Sequence, residues 1–176
     1  MTRQKIMSQK ITVAELNTLP DFVRVIGPVF EHSPWIAEAA ADQRPFADQP
    51  SLHRALCEAV KNSSPEKQLA LIRAHPDLVG KLALAGQLTR ESTGEQAGAG
   101  LSELSPEEVG WFQKQNDAYQ NKFSFPFVIC AGLNKKTAIL QGFERRLKNS
   151  PASELKTALE EIFKIAELRL KDLISH

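Results

Sequence analysis

The 176-residue chain reads as an all-α fold, a single-domain multi-helix bundle, on three observations. Apolar residues recur at every third or fourth position over most of its length, the period of an amphipathic helix. Serine–proline pairs punctuate the chain ahead of those stripes. The run with the most strand-like composition, FPFVIC at 125–130, carries Pro126 and has no second strand to pair with, so it reads as an extended connector. The length suits one hydrophobic core.

The elements follow in order. Residues 1–11 are basic with no apolar run behind them and are expected to fray, leaving 12–176 as the domain. Helices are expected over 21–30, 34–42, 52–62, 65–74, 90–98, 106–122, 136–148 and 151–174. Ser33-Pro34, Ser64-Pro65, Ser105-Pro106 and Ser150-Pro151, with the reversed Pro50-Ser51, mark starts. The hydroxyl can accept from a free first-turn amide, and proline at the first helical position loses no needed donor. At Ser105 the signal is stronger, because Glu108 three residues on completes a capping box. Leu52, Ala55, Leu56, Ala59 and Val60 make one stripe; Val109, Phe112, Asn116, Tyr119 and Phe123 make another.

Composition excludes several classes. A net charge of +1 with 24% charged residues argues against a dedicated nucleic-acid binder and against disorder. Cys57 and Cys130 stand far apart with no CxxC or Cys/His cluster, so no disulfide framework or common zinc site is implied. Both read as small buried hydrophobes. No stretch approaches the ~20 apolar residues of a membrane span, and no signal peptide or peroxisomal tripeptide is legible. A reducing cytoplasm is the default. Trp35 and Trp111 read as core or interface anchors, and His32, His53 and His176 as surface or packing residues. Lys135-Lys136 and Arg145-Arg146 read as solvated faces.

Four interruptions of the helical pattern carry the chemistry. In His75-Pro76-Asp77-Leu78 the proline stops the preceding helix. His75 is then held at a helix carboxyl end, where the macrodipole favours imidazolium and suits proton transfer; capping of the last carbonyls is the alternative. In LTRESTGEQ (88–96), Thr89 can cap a helix that presents Ser92, Glu95 and Gln96 on one face. Its free amides suit an anionic ligand, and Gly94, Gly98 and Gly100 would permit close approach; a solvated polar face is the alternative. The extended run 123–132 can offer backbone amides and carbonyls to a heterocycle, or can be a buried connector. In the last helix, Arg169 shares a stripe with Leu155, Leu159, Ile162, Ala166 and Leu173. A guanidinium there needs an acidic partner or an anionic ligand.

Together HPDL, LTRESTGEQ, NDAYQNKFSFPFVICAG and the final ELRLKDL resemble the 2-oxo-4-hydroxy-4-carboxy-5-ureidoimidazoline (OHCU) decarboxylase family, and EHSPWIAEAAADQRPF fits as well. The resemblance covers about residues 12–174. It implies a carboxy-lyase of urate breakdown forming (S)-allantoin: a cofactor-free, metal-free, all-helical homodimer acting on a small molecule, with no nucleic-acid or membrane partner. It makes His75 the catalytic histidine, with Pro76 bordering the substrate. Ser92, Glu95 and Gln96 become a substrate-facing trio, with Thr93 and Gly94 in the same segment. Phe127, Val128, Ile129, Cys130 and Ala131 become backbone contacts, and Arg169 a site residue. Ser124 departs from the glycine frequent in the family. Lack of a peroxisomal signal points to a bacterial, cytoplasmic protein.

The chemistry fits. The carboxylate leaves a carbon next to a C=N bond, so the ring itself accepts the electron pair and no cofactor sink is required. His75 would then transfer a proton, oriented by Glu95. Arg169 would bind a carboxylate or fix Glu95. Two further readings are a helical interaction module and a relative acting on another ureido acid.

Overall fold

Side-chain caps start several of the helices, and at Ser64, Ser105 and Ser150 they act where the sequence signals place them, accepting from the Lys67, Glu108 and Ser153 amides. The computed structural model describes residues 10–175; residues 1–9 of the segment expected to fray, and His176, lie outside them. The all-α class holds: α-helices dominate, and the strands among the described residues are Ile11–Thr12 (β1) and Ile174–Ser175 (β2), paired in parallel with Ile11 opposite Ile174. Residues 125–130 are extended without strand pairing, as expected. The chain divides into two compact units, one of Met1–Leu71 with Ala166–His176 and one of Ile72–Ile165.

The first unit holds helices α1 (Val13–Thr18), α2 (Phe22–Ile26), α3 (Trp35–Ala41), α4 (Gln49–Lys61) and most of α5 (Pro65–Ala74). Sequence reading missed α1, although Thr12 and Glu15 form a reciprocal capping box at its start. The helix expected over 21–30 stops at Ile26 and tightens into a 3₁₀ turn at Gly27–Val29. Pro28 has no amide to donate back, and its ring crowds the turn before it. Ser33 does not cap α3; its hydroxyl donates to the Glu31 carbonyl at 2.8 Å. Asp48, not the Pro50-Ser51 pair alone, starts α4, accepting from the Ser51 amide at 2.8 Å. Leu16, Phe22, Ile26, Ile36, Leu52 and Leu56 are buried in this unit. Burial pushes the Cys57 thiol up to about 11, which suits its packing role.

The second unit holds α6 (Lys81–Leu84), α7 (Arg90–Gly98), α8 (Pro106–Phe123), α9 (Lys136–Arg146) and the first part of α10 (Pro151–Leu173). The Ser105–Glu108 capping box is present. Tyr119, Phe127 and Phe143 form its aromatic centre, with Phe127 stacked on Phe143 at 3.8 Å and edge-on to Tyr119 at 5.3 Å. Gly142 on α9 faces this segment: a Cβ there would stand 3.4 Å from the side-chain ends of Ile129 and Phe127.

Arg146 overturns the expectation that Arg145-Arg146 is a solvated pair. It is 3% exposed and bonds through Nε to Glu154 Oε2 at 2.9 Å and through Nη1 to the Val128 carbonyl at 2.5 Å. Its guanidinium also lies 4.3 Å over Phe127. Glu154 takes further donations from Tyr119 and from Asn149 Nδ2 at 2.8 Å. Burial, then the Glu154 carboxylate, raises the Tyr119 hydroxyl well above its usual range, so it stays a donor. Removing one partner strands the other charge in the core. Arg146→Leu is therefore expected to lower the unfolding free energy by about 3–5 kcal/mol in a urea titration. The Arg146→Leu/Glu154→Leu double variant loses less than the sum of the single losses.

Candidate active site

Helix α5 ends where Pro76 forbids its continuation, and His75 is the last residue before that stop. The residue is buried, with 7% of its surface exposed. The chain then turns through Asp77, Leu78, Val79 and Gly80. Val79 adopts φ 53°, the left-handed region, which for a β-branched residue costs on the order of 1–3 kcal/mol. Gly80 is required by space: a Cβ would stand 2.7 Å from that of Asp77. The peptide joining Leu78 to Val79 is held at both ends. Gln96 Oε1 accepts the Val79 N–H at 3.1 Å, and Asn116 Nδ2 donates to the Leu78 carbonyl at 2.8 Å.

Thr89 caps α7 as expected, accepting from the Ser92 amide at 3.2 Å. The helix presents Ser92 and Gln96 on its buried face, with Glu95 half-buried between them. Thr93 and Gly94 are exposed, and the Thr93 hydroxyl donates back to the Thr89 carbonyl at 2.9 Å. Gly94 and Gly98 face open space, while Gly100 supplies a positive φ of 82° just past the helix end.

The extended segment is gripped along one edge. Besides Arg146 on the Val128 carbonyl, Glu161 Oε2 accepts the Cys130 N–H at 2.8 Å, and Asn134 Nδ2 donates to the Cys130 carbonyl at 2.9 Å. Burial above all, with the Glu161 and Glu95 carboxylates adding to it, raises the Cys130 thiol against bonds from the Leu133 and Gly132 amides. Cys130 is thus a poor nucleophile. Helix α7 also packs on the 3₁₀ turn Ala131–Leu133. One face of α7 therefore meets both the turn after His75 and the end of the extended segment. Ser124, where the sequence departs from glycine, sits in the left-handed cap of α8 at φ 61°, the conformation glycine adopts most easily.

Arg169 lies in the first unit, 7% exposed, with Nη2 on Glu31 Oε1 at 3.0 Å and Nη1 3.4 Å from the Pro28 and Val29 carbonyls. The acidic partner its stripe demanded is thus Glu31, which sequence reading passed over although it opens EHSPW. Asn116, Arg146, Glu154 and Glu161 were also missed. For Asn116 the signal was available, as one amide in an otherwise apolar stripe of α8. Among the described residues, no group of three or more His, Cys, Asp or Glu side chains is placed to hold a metal ion. No helix among them is long and apolar enough to cross a membrane.

The helical fold buries His75, Ser92, Gln96 and Asn116 and leaves Glu95 half-buried, the polar complement of an enzyme rather than of a purely apolar bundle. The OHCU decarboxylase family model matches residues 17–171. A 2-oxo-4-hydroxy-4-carboxy-5-ureidoimidazoline decarboxylase of Haloferax volcanii is 42% identical over 168 residues, 94% of this chain and 98% of its own. One from Halalkalicoccus jeotgali is 40% identical over 166 residues, 93% of this chain and 92% of its own. Among solved structures, an (S)-allantoin synthase is similar with a TM-score of 0.76 and 27% identity; 94% of this chain matches about half, 54%, of that one. The chain belongs to the OHCU decarboxylase family.

Asp77 gives a pH test of the turn. Burial first, then the charge of Asp117, raises its carboxyl, so the folded chain holds that proton to higher pH than the unfolded chain. Stability is lost as the pH rises past the unfolded value. Asp77→Asn is expected to raise the Tm at pH 7 and to converge with the parent below about pH 3.

Proposed function

We propose that this chain decarboxylates OHCU to (S)-allantoin, with His75 as the proton-transfer residue and Glu95 orienting it. The reading is supported by one observation: α7 holds the turn that follows His75 through Gln96 and packs on the 3₁₀ turn that ends the 127–131 segment.

The reaction needs few parts. The bond between the carboxylate and the hydroxyl-bearing ring carbon breaks, releasing carbon dioxide, and its electron pair moves into the adjacent C=N. The ring nitrogen of the former C=N takes a proton, the ureido-bearing carbon takes another on one face, and the hydroxyl loses its proton as the hydroxyl-bearing carbon becomes a carbonyl. The substrate is its own electron sink, so the cofactor-independent reading follows from its structure. His75 supplies the stereochemical proton, since a side chain fixed on one side of the ring can reach only one face. The Gln96 carbonyl is occupied by Val79, so its amino group is the end left to donate to the substrate. Ser92 contributes a hydroxyl, and the backbone of the 127–131 segment offers a donor and an acceptor to a ring amide. Pro76 borders the site, and Thr93 and Gly94 line its outer side.

A homodimer in the cytoplasm completes the proposal; the two buried, free thiols are compatible with a reducing compartment. The test is formation of (S)-allantoin from freshly generated OHCU, followed by circular dichroism. His75→Ala and Glu95→Gln are each expected to lower kcat by about 10²-fold or more. Near-parental rates and optical purity in either variant would sink the assignment of roles.

A further inference from the structure

The Leu78–Val79 peptide plane is gripped at both poles by side chains from different helices. Its carbonyl accepts from Asn116 on α8 at 2.8 Å, and its N–H donates to Gln96 on α7 at 3.1 Å. A plane held only at one end can swing about its two Cα atoms. That swing is the move that converts a positive φ at the following residue into an ordinary negative one. Val79 would gain by it, being β-branched and held at φ 53°. With both poles occupied the swing is blocked, and the turn stays as it is.

Asn116 is placed there against its surroundings. It is 6% exposed in the stripe that includes Phe112 and Tyr119, where an apolar side chain would pack without polar cost. Its Oδ1 is buried with no hydrogen-bond partner among the described residues. Reversing the amide would set its oxygen against the Leu78 carbonyl and bury an unmatched amino group instead, so the donation to Leu78 fixes its orientation. We infer that Asn116 is a positioning residue for the decarboxylation: by locking the 78–79 peptide it sets the direction in which His75 leaves the end of α5. The inference rests on His75 being the proton-transfer residue, and it gives Gln96 a second task on the same peptide.

The test uses the full chain. Asn116→Leu removes the donor without burying a new polar group, and Asn116→Asp keeps the shape while losing the donor, which guards against one variant failing to fold. In each folded variant, kcat is expected to fall about 10–100-fold, the scale of a misplaced catalytic group, while KM stays close to the parent. In ¹⁵N-histidine spectra the His75 ring signals are expected to shift, and the Val79 amide to exchange faster. Val79→Gly accepts left-handed backbone without strain, so adding it to Asn116→Leu is expected to recover part of the lost kcat. Unchanged kcat with unchanged His75 signals overturns the inference. So does a loss that tracks only the unfolded fraction and is not recovered by Val79→Gly. A parent chain that leaves OHCU unreacted overturns the proposed function instead, and the histidine spectra and Val79 exchange then decide the clamp by themselves.

Discussion

Extended backbone inside a helical core has no neighbouring strand to take its amides and carbonyls, so side chains must supply every partner. Residues 125–130 meet this constraint with buried charge. Arg146 holds the Val128 carbonyl, Glu161 holds the Cys130 amide, and Glu154 neutralises Arg146 while accepting from Tyr119 and Asn149. A buried ion pair is a weak source of stability, because desolvation offsets most of the attraction. What it supplies here is direction. Charged groups bonded at fixed atoms hold the segment to one register and one face, which apolar packing alone would leave free to slide.

The same logic recurs at the turn after His75. No helix or strand dictates the path of Leu78, Val79 and Gly80, and Val79 is held where its own preference opposes it. The conformation persists because Gln96 and Asn116 occupy both ends of one peptide. Helix α7 is the shared support. It touches this turn through Gln96 and packs on the 3₁₀ turn Ala131–Leu133, so its weak intrinsic propensity is offset by tertiary contacts. In the first unit, Glu31 holds Arg169 by a similar buried pair, with backbone carbonyls completing the guanidinium's partners.

The α10 helix shows how far a local pattern reaches. Its apolar stripe singled out Arg169 as a charge in the wrong place, and the ion pair with Glu31 answers that anomaly. The pattern did not single out Glu154 or Glu161, because both fall just beside the stripe as drawn, and a helix carries enough glutamate that two more are unremarkable. Both are buried. Arg146 escaped for the same reason, as one of two adjacent arginines near a helix end.

By itself the sequence determined what depends on neighbours in the chain: the helical class, the helix starts capped by Ser64, Thr89, Ser105 and Ser150, the stop at Pro76, the unpaired run at 125–130, and the motifs that mark the family. Capping, proline geometry and apolar period act over one to four residues, so one-dimensional reading reaches them. Only the tertiary structure decided which charges are buried and what they hold. The Asn116–Leu78, Glu161–Cys130 and Arg169–Glu31 contacts join residues 38, 31 and 138 positions apart. Such pairings follow from how helices pack, and nothing local in the chain encodes them.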